Sequence, residues 1–269
     1  EAGHVTSVSR VQRLKAHQMI EEAMINANVC AARFIENAEQ CSLYRVHAVP
    51  DPIKLEELGL DLRGVGLSLP KGVPQPIVFK RLLDELGQRS NGWLYQQLIL
   101  RSMQQAVYTP KNQGHFGLGL ERYMHFTSPI RRYPDLLVHR AIKAILRGDL
   151  SRLPGLDQLE DFGERCSSLE RRAESAGWTV EAWLKCDLLK HRTGDTFSGT
   201  IAGVTEFGLF VDIEGYFVQG LLHISDLGAD YFRFERAQQC LVGERNGKRY
   251  GLGDRIQVLV ANVEPAQGK

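Results

Sequence analysis

The chain has 269 residues, a length that allows one or two domains with substantial cores. Hydrophobic residues make up 43% of it and charged residues 24%, the balance of an ordinary globular protein. The formal net charge of +1 does not point to nucleic acid, so any such site must come from local clusters of Lys and Arg. No apolar run approaches the roughly 18 residues of a membrane-spanning helix.

Cysteine usage bears on the cellular compartment. The five cysteines are widely spaced and none forms a C-x-x-C pair, which argues against a structural zinc site and against thioredoxin-type chemistry. Reduced thiols are then expected, and we predict a cytoplasmic protein. The sequence starts at Glu1 without an initiator Met and stops just after a predicted strand, so we expect a fragment of a longer chain.

The first predicted element is a long amphipathic helix at about 11–38, where apolar residues recur at i, i+3 and i+4. A mixed stretch at about 39–90 follows, in which prolines separate a possible strand at 43–47 from short helices. Three further helices are predicted in the first domain, at about 92–107, 134–147 and 157–192, with a Gly- and Pro-containing linker at 148–156.

The periodicity changes near residue 193, where short strands with turn residues between them replace the helices. The predicted strands lie at 196–204, 208–213, 218–223 and 255–263. This spacing predicts a small β-barrel, so we place the domains at 1–192 and 193–269. The expected fold class is α+β, with a helix-rich domain before a five-stranded barrel whose last strand is cut short. The course of 227–250 cannot be predicted.

The second domain resembles an OB-fold RNA-binding domain of the ribosomal S-one type. The resemblance rests on four segments: Gly199-Thr200-Ile201, Thr205 to Val211, Gly220-Leu221-Leu222-His223-Ile224-Ser225 and Leu252 to Val258. It implies that Phe207, Phe210 and His223 form an exposed platform on which bases stack, while basic residues meet phosphates. Those basic residues are Arg233, Arg236, Lys248, Arg249 and Arg255. The alternative is that the two phenylalanines are core residues, and which of them stacks stays open.

The segment from His125 to Asp135 is the most informative in the first domain. Two X-Pro pairs disfavour helix before each proline, and Pro134 suits the first turn of the next helix. Arg131 and Arg132 are adjacent and are unlikely to point the same way, so one can reach a phosphate while the other pairs with an acid such as Asp135. The alternative is a loop with an internal Arg–Asp ion pair.

The run H-F-G-L-G-L-x-x-Y-x-H-F-T-S-P-I-R-R-Y-P-D-L-x-x-H-R resembles the signature of the RNase II/RNase R family of 3′→5′ exoribonucleases. The resemblance extends over essentially the whole chain and includes 21–25, 28–33 and 168–173. It implies processive hydrolysis of single-stranded RNA from the 3′ end with two metal ions, usually magnesium. The expected partners are an RNA 3′ end and proteins of RNA decay or trans-translation, with no membrane and a monomeric state.

The resemblance also implies roles for individual residues. Arg131 matches the arginine that braces the scissile phosphate in the transition state. The other predicted RNA contacts of this domain are Glu21, Glu22, Thr127, Ser128, Arg132, Tyr133 and Glu170. Each has a structural alternative, because acids on helices are normally exposed and Tyr133 can simply pack. His125 and His139 are expected to be structural hydrogen-bonding residues rather than bases.

The chain departs from the family in one respect that matters for chemistry. Family members hold their metals with closely spaced aspartates upstream of the residues matched here, and this sequence has no such cluster; its one acid-x-acid pair, Asp212 and Glu214, is expected to be a turn feature. We therefore expect the parent protein to be an exoribonuclease and the fragment alone to bind RNA without cleaving it, with magnesium held outside it. The alternative is a non-catalytic RNA-binding adaptor on a nuclease-derived scaffold.

Overall fold

A computed structural model describes residues 5–265 of the chain, apart from 6, 10, 64–65, 70–71, 73 and 90. The helices are α1 (Lys15–Asn37), α2 (Pro52–Arg63), α3 (Pro76–Gly87), α4 (Gly92–Ser102), α5 (Tyr133–Arg147) and α6 (Leu156–Leu189). The strands are β1 (Tyr44–Val46), β2 (Val107–Thr109), β3 (Thr196–Thr205), β4 (Gly208–Ile213), β5 (Val218–His223), β6 (Phe232–Glu235), β7 (Cys240–Gly243), β8 (Arg249–Gly251) and β9 (Arg255–Leu259).

The helical domain has separate apolar clusters. The small side chains on the buried stripe of α1 let α5 approach closely, and Ala31, Ala32 and Ile35 pack with Val138 and Ala141. A second cluster joins α2, α3 and α4 through Leu58, Leu62, Phe79, Leu86 and Ile99. The predicted helix at 92–107 was too long, because α4 ends at Ser102 and 107–109 form a strand instead.

Strands β1 and β2 form a short antiparallel ribbon in which Tyr44 pairs with Thr109 and Val46 with Val107. Helix α6 crosses this ribbon at very close range at Gly163, where a Cβ would lie only 2.5 Å from the carbonyl oxygen of Tyr108. The Tyr108 backbone N–H donates to the Ser167 hydroxyl over 2.9 Å, which fixes the crossing point. The ribbon therefore packs α6 against the side of the domain that contains residues His125 to Asp135.

The second domain has two antiparallel sheets, with strand orders β5-β4-β3-β9 and β6-β7-β8. They share a core in which Ile201, Leu209 and Val211 of the larger sheet pack with Leu241 and Tyr250 of the smaller one. The predicted α+β fold, a helix-rich domain followed by a small β-domain, is confirmed, but the strands form two sheets and not one closed barrel. The unassigned segment 227–250 supplies the second sheet, since its alternating Phe232 and Phe234 turn toward the shared core.

Two contacts join the domains. Leu189 at the end of α6 packs with Ile213, Val218 and Val260. On another side the contact is polar: Arg236 pairs with Glu57 at 2.6 Å, the Gln239 amide donates to Asp61 over 2.7 Å, and the Asn91 amide donates to the Gly253 carbonyl over 3.1 Å. In the part of the chain that the structure describes, no helix is long and apolar enough to cross a lipid bilayer.

Candidate functional site

The segment from His125 to Asp135, called the signature segment below, forms a tight turn that leads into α5. This turn is called the signature turn. The Ser128 carbonyl oxygen accepts hydrogen bonds from the backbone N–H groups of Arg131 (3.3 Å) and Arg132 (3.1 Å). The two prolines keep the flanking backbone out of helical conformations, and Pro134 occupies the first turn of α5. The tip of the turn therefore stands away from the protein, and the side chain of Ile130 at the tip is fully exposed.

Asp135 ties the two ends of this turn together. Its carboxylate is fully buried and accepts hydrogen bonds from the Ser128 backbone N–H and from the Arg132 guanidinium, both over 2.7 Å. The position in the first turn of α5 also suits a carboxylate, because the N-terminal end of a helix carries partial positive charge. One buried acid therefore fixes the backbone at Ser128 and the side chain of Arg132.

The two adjacent arginines differ sharply in their surroundings. Arg132 is largely buried, with 20% of its side chain exposed, in its ion pair with Asp135. Arg131 is exposed, and its guanidinium forms no ion pair or hydrogen bond with any residue that the structure describes. The structure thus shows which arginine takes the acid: Arg132 pairs with Asp135, and the RNA contacts expected of Arg131 and Arg132 stay predictions. The hydroxyl of the neighbouring Thr127 is buried, so it does not share this exposure.

Asn28 of α1 anchors the upstream end of the turn. Its side-chain oxygen accepts the backbone N–H groups of Phe126 (2.9 Å) and Thr127 (3.2 Å), and its amide nitrogen donates to the Tyr123 hydroxyl (2.9 Å). The sequence pattern assigned no role to Asn28. The available signal was its place on the apolar stripe of α1, three residues before Ala31, where a buried amide needs partners.

A row of rings underlies the turn. The ring centroids lie 5.1 Å apart for His47 and His115, 5.3 Å for His115 and Tyr123, 5.6 Å for Tyr123 and His125, and 5.6 Å for His125 and Tyr108. Burial lowers the pKa of His115 to about 4 and that of His125 to about 3, and nearby cationic groups add to both effects. The histidines are therefore neutral near pH 7 and act as structural hydrogen-bonding groups.

Glu170 of α6 meets the row at its Tyr108 end. The Arg45 guanidinium donates to the Glu170 carboxylate over 2.6 Å and also lies over the Tyr108 ring, 4.6 Å from its centroid. The Tyr108 hydroxyl is 3.5 Å from the other carboxylate oxygen. Glu170 is thus tied to the ribbon of β1 and β2, and its predicted contact with RNA remains a prediction.

The other predicted contacts of this domain are more dispersed. Glu21 and Glu22 are exposed on the first half of α1, and Glu21 pairs with Arg13. Within the described ranges, no hydrogen bond or ion pair links either acid to the signature turn. Tyr133 is 43% exposed and meets the edge of Phe162 at 5.8 Å between ring centroids. These residues stay predictions that the geometry of the turn does not decide.

The three predicted stacking residues of the second domain, Phe207, Phe210 and His223, lie together at one end of β4 and β5, away from the shared core. Phe210 pairs across β4 and β5 with the exposed Leu221, while its neighbours Leu209 and Val211 face the core. Phe207 is 50% exposed in the preceding turn and meets Phe210 edge-on, with 6.1 Å between centroids. The exposed His223 pairs with Gly208 next to them. This arrangement disfavours the core alternative for both phenylalanines.

Several of the basic residues predicted to meet phosphates already have carboxylate partners. Arg233 and Arg249 approach Glu235 at 3.1 and 4.0 Å, Arg255 approaches Glu214 at 3.5 Å, and Arg236 belongs to the domain contact. Lys248 lies over the Tyr250 ring, with its ammonium 4.8 Å from the centroid. Any phosphate contact by these arginines would compete with an existing ion pair.

The described residues do not offer a metal site. Nowhere in this part of the chain do three His, Cys, Asp or Glu side chains come together as metal ligands. The acid-x-acid pair is otherwise engaged, since Asp212 accepts from the Gln219 amide over 2.8 Å and Glu214 faces Arg255. Burial raises the pKa of Asp212, which further disfavours its use as a charged ligand.

The chain is similar to proteins and solved structures named ribonuclease R or RNase R. Ribonuclease R of Escherichia coli (strain K12) is 42% identical over 276 residues, which cover 98% of this chain and 34% of that protein. The chain thus spans about a third of the length of the curated relatives it matches. The structure of Mycoplasma genitalium RNase R in complex with ribose methylated single-stranded RNA matches with a TM-score of 0.86 at 29% identity, over 96% of this chain and 42% of that one.

A more distant neighbour is yeast Ssd1, described as a pseudonuclease, with a TM-score of 0.71 at 20% identity over 86% of this chain and 29% of that one, which shows the fold alone. The family model of the RNB domain matches residues 1–148, and that of the S1 RNA binding domain matches residues 190–269. Because the first match covers more than half of the 269 residues, this chain belongs to the RNB domain family, with an S1 RNA binding domain after its RNB region.

Proposed function

We propose that this chain is part of a 3′→5′ exoribonuclease that hydrolyses single-stranded RNA and releases nucleoside 5′-monophosphates. The observation that carries the proposal is Arg131, an exposed guanidinium that has no partner among the described residues and lies at the tip of a turn whose two ends are fixed by buried side chains. A fixed cation near a phosphodiester stabilises the extra negative charge that develops during hydrolysis, and it needs no rearrangement when the reaction occurs.

The S1 RNA binding domain fits the same proposal. Phe207 and Phe210 offer exposed ring area beside His223, and base stacking on aromatic rings tolerates any sequence. An enzyme that degrades RNA from one end benefits from such a grip, because it has to hold successive nucleotides regardless of their bases. The Escherichia coli relative named ribonuclease R matches 98% of this chain, across both of its matched domains.

The proposed reaction uses divalent metal ions, for which magnesium is the expected choice. When bound, such ions activate the attacking water and stabilise the leaving oxygen. The residues that the structure describes do not fit a metal pair, so the metal ligands of the proposed enzyme would lie outside this chain. What the chain itself supplies is the placed guanidinium of Arg131 and the surfaces that hold the RNA.

The alternative is an RNA-binding adaptor without catalytic activity. The fold permits it, since the pseudonuclease Ssd1 shares the architecture. The enzyme is favoured because the relatives at 42% identity are named ribonuclease R, and because a free arginine at the tip of a fixed turn is difficult to explain as a structural element. An intact cluster of aspartates upstream of this region would support the enzyme, and its absence would support the adaptor.

The experiment compares the full-length protein with its Arg131→Ala variant on labelled oligo(A) in the presence of magnesium. We expect turnover to fall by about 100-fold with little change in RNA affinity, because the charge of Arg131 matters most in the transition state. Arg147→Ala, which removes an exposed arginine at the end of α5, outside both the turn and the signature run, serves as the control and should retain full turnover.

Two results would contradict the proposal. Loss of RNA affinity with unchanged turnover would make Arg131 a simple binding contact. A full-length protein that binds oligo(A) but releases no mononucleotides would be the adaptor. The 269-residue chain alone should bind RNA and release none, so metal-dependent cleavage by this chain would show that its own residues form the metal site.

A further inference from the structure

We infer that Asn28 is a positioning residue for the proposed reaction: it holds the upstream end of the signature turn and thereby places Arg131. The inference rests on the proposed function for its catalytic consequence. Its structural basis is independent, since Asn28 lies 2% exposed inside α1 and touches the turn through its side chain alone.

An asparagine in this position needs an explanation. Its short polar side chain disfavours helix interiors because it competes with the backbone for hydrogen bonds, and a buried amide without partners costs free energy. Here all of the neighbouring stripe positions are apolar, and Ala31, Ala32 and Ile35 pack against α5. A leucine or alanine would satisfy the packing of α1, so the amide is present for its hydrogen bonds.

The three hydrogen bonds use both the oxygen and the nitrogen of the asparagine side chain. The oxygen accepts two consecutive backbone N–H groups, of Phe126 and Thr127, and the nitrogen donates to the Tyr123 hydroxyl. The segment 121–132 has neither helix nor strand to satisfy its backbone groups. Asn28 therefore replaces the missing secondary structure at the point where the chain enters the turn.

Asp135 continues this anchoring, because it holds the Ser128 backbone N–H and the Arg132 guanidinium on either side of Pro129, Ile130 and Arg131. Within the tip, the Arg131 backbone N–H donates to the Ser128 carbonyl oxygen, while the Ile130 side chain is fully exposed and the Arg131 guanidinium has no partner among the described residues. The location of the guanidinium therefore depends on the hydrogen bonds by which Asn28 and Asp135 hold the ends of the turn. A shift of about 1 Å at a catalytic group can lower the rate by about 100-fold.

The first test uses the full-length protein and a double-mutant cycle. Asn28→Ala should lower kcat by about 10- to 100-fold with little change in KM, and Asn28→Asp, which keeps the acceptor oxygen, should restore part of it. Combined with Arg131→Ala, the Asn28→Ala change should cause almost no further loss, because its effect acts through Arg131. Losses that multiply, or an Asn28→Ala variant with wild-type kcat, would overturn the inference.

The matched control is Asn26→Ala on the same helix. Asn26 is exposed, and its amide donates only to the Glu22 carbonyl within α1, so this variant should retain wild-type kcat. A fall in kcat for Asn26→Ala equal to that for Asn28→Ala would assign the effect to α1 as a whole.

The second test does not depend on catalysis. In the 269-residue chain, Asn28→Ala should increase amide hydrogen exchange at Phe126 and Thr127 at least tenfold, whereas Asn26→Ala should leave it unchanged. Unchanged exchange in Asn28→Ala would overturn the inference even if the full-length protein proved to be inactive on RNA. Inactivity of the wild-type protein together with increased exchange would instead contradict the proposed function and leave the structural role of Asn28 supported.

Discussion

At the scale of single residues, the signature turn separates two arginines that the sequence presents side by side. Arg132 is built into the fold through the fully buried Asp135, and Arg131 is not. The sequence alone does not show which of the two adjacent arginines pairs with Asp135. The burial of Asp135 decides it, since a buried carboxylate requires a cationic or N–H partner nearby.

This difference predicts that the two substitutions change the free energy of unfolding by very different amounts. Arg132→Ala should lower the free energy of unfolding by roughly 3 kcal/mol, because it leaves the Asp135 carboxylate buried without its cation. Arg131→Ala should change it by less than about 0.5 kcal/mol, as for other exposed positions. Urea denaturation of the 269-residue chain measures both, and equal effects of the two substitutions would contradict the assignment of the ion pair.

The S1 RNA binding domain offers a second residue-scale prediction. Phe207→Ala should weaken the binding of oligo(A) by about five- to 150-fold, which corresponds to the roughly 1–3 kcal/mol of one stacked base. Phe217→Ala is the matched control, because Phe217 is also 50% exposed but follows the opposite end of β4. Equal losses of affinity would place the RNA elsewhere on the domain, and fluorescence anisotropy provides the measurement.

The sequence indicated part of this site. Arg131, Phe207, Phe210 and His223 could be named because their motifs are local. Asn28 could not, because its partners lie 95 to 99 positions away along the chain and only the folded structure brings them together.

At the scale of secondary-structure elements, the crossing of α6 over the ribbon depends on one glycine. Gly163→Ala would place a Cβ 2.5 Å from the Tyr108 carbonyl oxygen, so α6 has to move away from β2. We expect a loss of about 1–3 kcal/mol in the free energy of unfolding. A Cβ added at Gly177 on the same helix would meet no atom of another element within 4 Å. Gly177→Ala should therefore raise the free energy of unfolding by up to about 1 kcal/mol. Urea titration of both variants checks the contrast, and a neutral Gly163→Ala would contradict it.

The ring row predicts a dependence of stability on pH. His115 and His125 have pKa values near 4 and 3 in the folded chain, below the ordinary value of about 6.5 that applies after unfolding. Their contribution is complete above about pH 6.5 and is lost as the pH falls toward 4, because the unfolded chain takes up protons first.

The measurement is the urea midpoint at pH 7.5 and 5.5, a range above the titration of most carboxylates. We expect the wild-type midpoint to fall across it, and the fall to be smaller in His125→Phe, which keeps an aromatic ring in the row. His191→Ala removes an exposed histidine and should show the full wild-type fall. An identical fall in all three proteins would exclude the ring row as its source.

Element prediction from sequence succeeded where periodicity is long and regular. Helices α1, α5 and α6 and strands β3, β4 and β5 lie within a few residues of their predicted bounds. It failed at β2, because three residues after a helical pattern carry no period of their own. It also failed for β6 to β8, whose strands are only three or four residues long and take their stability from the core they share with the larger sheet.

At the scale of the whole molecule, the change of periodicity near residue 193 indicated a second domain, and a family model for the S1 RNA binding domain matches from residue 190. How the domains contact each other was not predictable. The hydrogen bond from Gln239 to Asp61 spans 178 positions and that from Arg236 to Glu57 spans 179, and no local pattern marks either acid as an interface residue. Burial also raises the pKa of Asp61, as expected for a carboxylate enclosed between two domains.

Helix α6 connects the ribbon near the signature turn to the second domain, because Glu170 meets the ribbon and Leu189 packs with Ile213 at the end of β4 away from Phe207. At about 1.5 Å per residue, the stretch of α6 between Glu170 and Leu189 spans roughly 28 Å. A stacked strand needs about eight nucleotides to cover that distance at roughly 3.4 Å each. We therefore expect a length dependence when the RNA 3′ end is bound at the signature turn of the full-length protein. Phe207→Ala should weaken the binding of a 16-nucleotide oligo(A) and leave the binding of a four-nucleotide oligo(A) unchanged.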